Sequence, residues 1–171
     1  MTHSTPTGPY PTPGPGSGGR RVKDAMVATV AALAGLLLLA AVAGAVEPGL
    51  FAVPFVASAG IVALAPAAPF AQPRSIVLGH AVAAAIALAA TAVAGPSVWT
   101  AAVAAALSIA PMLLLRAPHP PAAATAALIG LTAPDPVYLL NPVLTASALV
   151  IAGGVALGRV LPGQRYPAYW R

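Results

Sequence analysis

Cysteine is missing from this chain altogether, which excludes disulfides, thiolate metal sites and a cysteine nucleophile. Carboxylates are nearly missing: Asp and Glu together number three, against eight Lys and Arg and three His in 171 residues. With charged residues at 6% and a mean hydropathy of +0.89, too few polar groups remain to cover a soluble globule. The acids and histidines are too dispersed for a metal site: His3 lies in the tail, and a carboxylate pair would require Glu47 and Asp135 to meet. No Gly-x-Ser-x-Gly elbow, phosphate loop or zinc motif occurs, so neither an enzyme nor a cofactor is expected. The apolar–polar alternation of a membrane β-barrel is absent as well.

What is present is a succession of uncharged apolar runs after residue 24, the pattern of an all-α, multi-pass membrane protein. The basic pI of about 10.5 does not point to nucleic acid. Only Arg20, Arg21 and Lys23 cluster, and they flank an apolar run, where they act as a topology signal. Residues 1–19, MTHSTPTGPYPTPGPGSGG, have almost nothing to bury, so a disordered tail is expected over 1–21. A membrane domain is expected over 22–162 and a short C-terminal tail over 163–171.

Six segments can be drawn: 25–46, 50–66, 75–94, 98–115, 120–133 and 142–160. The first, 22 residues without a charge, spans a hydrocarbon core of about 30 Å at about 1.5 Å per residue. The second and fifth are short. Pro54 lies in the second, PAAPFAQPR follows it, Gly95-Pro96 ends the third, and Pro134, Asp135 and Pro136 separate the last two. Six crossings with both termini cytoplasmic put Arg20, Arg21, Lys23, Arg74, Arg116, Arg159, Arg165 and Arg171 inside, with Glu47 and Asp135 outside. The two short segments also resemble each other. With Pro54 over Pro121, PFVASAGIVAL aligns with PAAATAALIGL, and Ser58 meets Thr125. Two inverted three-segment repeats follow, in which short helices meet near the midplane.

Residues 113–130, LLLRAPHPPAAATAALIG, place Arg116, His119, Pro120 and Pro121 inside an apolar stretch. In the plain reading the prolines start the fifth helix, where a missing N–H costs nothing, and Arg116 marks the interface. In the functional reading, a helix starting below the surface offers free N–H groups to an anion, with Arg116 and His119 beside it. AQPRSIVLGH at 71–80 poses a parallel case: Arg74 suits an interface, but His80 lies deeper. His80 either bonds a neighbouring carbonyl or belongs to a pathway or proton relay. Gly154-x-x-x-Gly158 suggests close helix packing within the chain and, second, contact in a homo-oligomer.

AQPRSIVLGH, HPPAAATAAL and the terminal RYPAYW resemble the HPP family of integral membrane proteins over roughly 22–170. Two departures are visible: Leu78 precedes Gly79-His80, and Ala123 stands where the family usually has glycine. The resemblance implies a compact helical membrane domain, commonly described with four helices, and in some plant and cyanobacterial members a link to nitrite transport. Two function classes follow. One is a transporter or channel for a small anion such as nitrite, with Arg74, His80, Arg116 and His119 binding it and Pro54, Ser58, Pro120, Pro121 and Thr125 forming the helix starts and gate. The other is a non-transporting membrane scaffold. The expected partners are the lipid bilayer, a small anion and further copies of the chain, with no nucleic acid.

Overall fold

The computed structural model describes residues 17–162 and 164–170. Most of the tail expected over 1–21 lies outside them, and helix α1 already begins at Ser17. Six helices follow one another: α1 Ser17–Ala45, α2 Val53–Leu64, α3 Pro73–Ala94, α4 Val98–Leu114, α5 Pro120–Thr132 and α6 Thr145–Val160. Each coincides with one of the six apolar segments apart from small shifts at its ends, except that α1 begins eight residues before residue 25, and among the described residues there is no strand.

Proline and glycine set the boundaries. Pro54, Pro73, Pro120 and Pro121 occupy the first two positions of their helices, where no intrahelical donor is required. Gly95 ends α3 with φ +72°, a backbone turn that other residues resist. Ser97 caps α4 by accepting from the Thr100 amide at 3.0 Å. At the far end of α4, Arg116 itself takes φ +52°, a left-handed turn that a side chain with a Cβ disfavours.

Helix lengths divide the set. Among the described residues three spans are long and apolar enough to cross a membrane: Val22–Ala45 within α1, Pro73–Ala94, and Pro136–Val160, which includes α6. The other three are shorter, at 12 residues for α2, 17 for α4 and 13 for α5. At about 1.5 Å per residue, α2 and α5 reach only about 18–20 Å, well short of a hydrocarbon core of about 30 Å.

The helices form two groups of three. α3, α4 and α5 pack together, α1, α2 and α6 pack together, and contacts of α2 with α5 and α3 with α6 join the groups. The core between them is built largely of alanine, with Ala83, Ala84, Ala87, Ala104, Ala122, Ala126 and Ala146 fully buried. Small side chains permit the close backbone approach on which helix association in lipid depends. At Gly130 the approach is so close that an added Cβ would collide with the backbone of Ala101.

The connections gather on two faces. On one, the start of α1, the 65–72 segment and the C-terminal residues meet: Lys23, Pro66, Pro162 and Gln164 line one open cavity of about 360 Å³. His119, which opens α5, reaches the same segment through Phe70. On the other face Gly49 lies against Pro142, and the Ser97 amide donates to the Gly130 carbonyl. The chain thus alternates from face to face along all six segments. Among the described residues Lys23, Asp24, Arg74, Arg116, Arg159 and Arg165 belong to the first face, and Glu47 and Asp135 to the second.

Candidate functional site

Three of the apolar helices carry one polar side chain each to a common point. Ser58 of α2, His80 of α3 and Thr125 of α5 are completely buried, and His119, just before α5, is 1% exposed. His119 has the extended backbone of a helix cap, φ −145° and ψ 92°, but its side chain caps nothing. Instead Nδ1 lies 2.7 Å from the Phe70 carbonyl oxygen and Nε2 lies 2.8 Å from Ser58 Oγ. Ser58 Oγ lies 2.9 Å from His80 Nε2, and His80 Nδ1 lies 2.8 Å from Thr125 Oγ1. The two imidazoles meet edge to face with centroids 4.8 Å apart, and Phe55 covers His80 from the other side at 5.1 Å.

Donor counting gives this chain a direction once every ring nitrogen is required to have a partner. A carbonyl only accepts, so His119 Nδ1 carries hydrogen and donates to Phe70. A neutral His119 then has Nε2 free to accept from the Ser58 hydroxyl, whose one hydrogen is also within reach of the Pro54 carbonyl at 2.8 Å; only its donation to His119 leaves no ring nitrogen unpartnered. Ser58 in turn accepts from His80 Nε2–H, and His80 Nδ1 accepts from the Thr125 hydroxyl. Every bond runs one way, from Thr125 through His80, Ser58 and His119 to Phe70, and no ring nitrogen lacks a partner. Gly79 makes room for it: an added Cβ there would sit 2.7 Å from the Cβ of His119.

The structure brings together His80, His119, Ser58 and Thr125, with Pro54 and Pro121 buried at the starts of the two short helices. It does not bring Arg74 or Arg116 into this cluster: Arg74 is half-buried and Arg116 is exposed, and neither bonds an imidazole. The expected cradle of free N–H groups at the start of α5 is also not formed. Pro120 and Pro121 have none, and the next amide, of Ala122, donates to the His119 carbonyl at 2.9 Å.

Sequence reasoning overlooked Gln72. Fully buried, its Nε2 donates to the carbonyls of Pro66 and Ala68 at 2.9 and 2.8 Å. Its Oε1 accepts from the amides of Ala168 and Tyr169 at 2.9 and 3.3 Å. The C-terminal segment is thereby tied across the loop that carries Phe70. Gln164 adds a bond from Nε2 to the Ala63 carbonyl at 2.9 Å. Tyr166 fills the groove left by Gly154 and Gly158, whose added Cβ atoms would strike its ring and backbone. That glycine pair therefore serves packing within the chain. Burial pushes the Tyr166 phenol up from its ordinary value, and its hydroxyl has no hydrogen-bond partner among the described residues. The one signal for Gln72 was an amide inside an otherwise apolar stretch next to proline.

Six alternating apolar segments around a buried polar chain define a multi-pass α-helical membrane protein. The family described as HPP, transmembrane region, matches residues 18–167, nearly the whole of the described chain. The protein belongs to that family. Searches of curated proteins and of solved structures found no match.

Proposed function

We propose that this protein is a secondary transporter for a small anion, with nitrite as the first candidate substrate. In this reading it crosses the cell membrane six times, has both termini in the cytoplasm, carries out no catalysis, and alternates access by motion of two inverted halves. The family supports membrane transport, and the nitrite candidate rests on the resemblance alone. The inverted halves are supported by spacing: α2 to α5 is 53 to 120, and the short turns after them begin at 69 and 136, an interval of 67 in both cases. Contacts also keep their pattern when α1, α2 and α3 are exchanged for α4, α5 and α6. α1 with α2 answers α4 with α5, α2 with α6 answers α5 with α3, and α1 with α6 answers α4 with α3.

One observation carries the reading. At that interval Ser58 and Thr125 are equivalent, and His80 bridges them, one ring nitrogen to each hydroxyl. Short helices meeting at a polar point inside the bilayer are the usual plan of a transporter's central site. An ionisable group there is costly to keep without a function. Arg74 and Arg116, on the face that the positive-inside rule assigns to the cytoplasm, would draw anions toward the mouth.

The complete partnering of the imidazoles favours one other reading, a packing lock in a non-transporting scaffold. Reconstituted protein assayed for flux of nitrite, nitrate, formate and chloride separates the two. Transport is expected for nitrite, with Arg74→Gln or Arg116→Gln lowering flux at unchanged abundance and lysine restoring part of it. Rates equal to protein-free liposomes for all four anions would leave the scaffold.

A further inference from the structure

We propose that the two imidazoles joined by Ser58 form a proton-binding site that holds one proton, and that the anion moves together with it. The coupling half rests on the transport reading above; the proton site stands on the network alone.

With both rings neutral, the direction already described is the one that partners every ring nitrogen, and the cluster has no charge. It can accept one more proton without orphaning an atom. If a proton taken from hydronium reaches Thr125, the hydroxyl passes its own hydrogen to His80 Nδ1. His80 passes its Nε2 hydrogen to Ser58, and Ser58 passes its hydrogen to His119 Nε2. Each group has its original number of hydrogens except His119, which now carries two and the positive charge. His119 Nε2–H donates back to Ser58, whose hydroxyl points to His80 Nε2, and His80 Nδ1–H points to Thr125. The Ser58 hydroxyl also has the Pro54 carbonyl as an acceptor, 2.8 Å away. Beyond His119 the chain stops, because the Phe70 carbonyl accepts a hydrogen bond but cannot pass a proton on.

A second proton is opposed. Two imidazolium rings with centroids 4.8 Å apart would repel, and no carboxylate lies on any element packed against them. Helices α2, α4 and α5 and the 69–71 turn carry no acidic or basic side chain at all. α3 contributes Arg74 near its start, α6 contributes Arg159 in its last turn, and Arg116 is exposed on the preceding loop. The Tyr166 phenol packs against Gly154 of α6, and Lys23 and Asp24 of α1, which packs on α2, lie at the cavity beside Pro66 and Gln164. Arg165 and Tyr169 belong to the C-terminal segment on the same face. The surroundings therefore favour a single positive charge at most.

That charge supplies what an anion needs here. The start of α5 offers no free amide, and the arginines lie outside the cluster, so the neutral site has nothing to hold an anion. An imidazolium at His119 supplies a positive charge, while both its N–H groups stay bound to Phe70 and Ser58. Anion and proton then bind as a pair, and the pair crosses without net charge.

Two measurements test this. In lipid nanodiscs, histidine-labelled protein read by ¹⁵N NMR, with His3→Gln to remove the tail signal, should show opposite neutral tautomers, Nε2–H at His80 and Nδ1–H at His119. On acidification one ring of the two should charge. Identical tautomers, or both rings charging together, would overturn the proton site. In liposomes loaded with a pH dye, nitrite uptake above the protein-free background should bring in one proton per anion. An inside-alkaline step of one pH unit should drive about tenfold accumulation, and His119→Asn should lose the proton signal. Nitrite carried without protons overturns the coupling and leaves the transport reading intact. No carriage of any anion removes the transport reading and the coupling together, and the NMR result alone then decides the proton site.

Discussion

Replacing Ser58 by alanine is the most informative single change, because one hydroxyl serves both imidazoles. Its loss leaves His119 Nε2 without a donor and His80 Nε2–H without an acceptor, both in a site with no exposure. An unpartnered buried polar group costs about 1–3 kcal/mol. Two such groups give about 2–6, and the better helix propensity of alanine returns up to about 0.5 kcal/mol. Hydrogen bonds within membrane proteins average only about 0.6 kcal/mol when measured singly, so the lower half of that range applies, about 2–4 kcal/mol. Thr125→Val keeps shape and orphans one nitrogen, so about half that loss is expected. Reversible unfolding by SDS titration in mixed micelles measures both. A Ser58→Ala variant within about 0.5 kcal/mol of the parent protein, or one more stable than Thr125→Val, would refute the donor counting on which the site rests.

Other outcomes follow from single contacts. Gly130→Ala should destabilise by about 1–3 kcal/mol through overpacking against Ala101, whereas Gly60→Ala, which meets nothing within 4 Å, should gain up to about 1 kcal/mol in the same titration. Gln72→Ala should free the C-terminal segment and expose the Arg165 bond to trypsin, while parent protein stays protected. Because the chain has no native cysteine, single cysteines report topology directly: Glu47→Cys and Asp135→Cys should be labelled from outside intact cells, and Ala68→Cys should not.

The six segments were legible because prolines and glycines punctuate an otherwise uniform apolar text, and such residues act locally. Pro73, Pro120 and Gly95 end or start helices in the structure as their chemistry requires. His80, His119, Ser58 and Thr125 were also visible, as the polar exceptions inside apolar runs. Their joining was not, since it depends on how α2 crosses α5, and alanine-rich faces carry no pattern that fixes a crossing. Arg74 and Arg116 show the limit from the other side. Charge makes a residue conspicuous in such a sequence, yet the depth of a side chain depends on the turn that presents it, and the left-handed turn at Arg116 leaves it exposed. Gln72 stayed hidden because its partners are backbone groups, four of them, that no sequence displays.

The exchange of α3 and α6 between the two helix groups bears on how the molecule is made. A ribosome delivers α1, α2 and α3 first, but α3 finds its neighbours in α4 and α5, and α1 and α2 wait for α6, which emerges after all of them. Neither half can close its own group during synthesis. The nascent first half must linger in the membrane with unfilled surfaces until α6 is made, and the Ala168 and Tyr169 amides that bind Gln72 then fasten the assembled helices. Two separately expressed halves, cut between α3 and α4, should accordingly be unstable apart and find each other when made together.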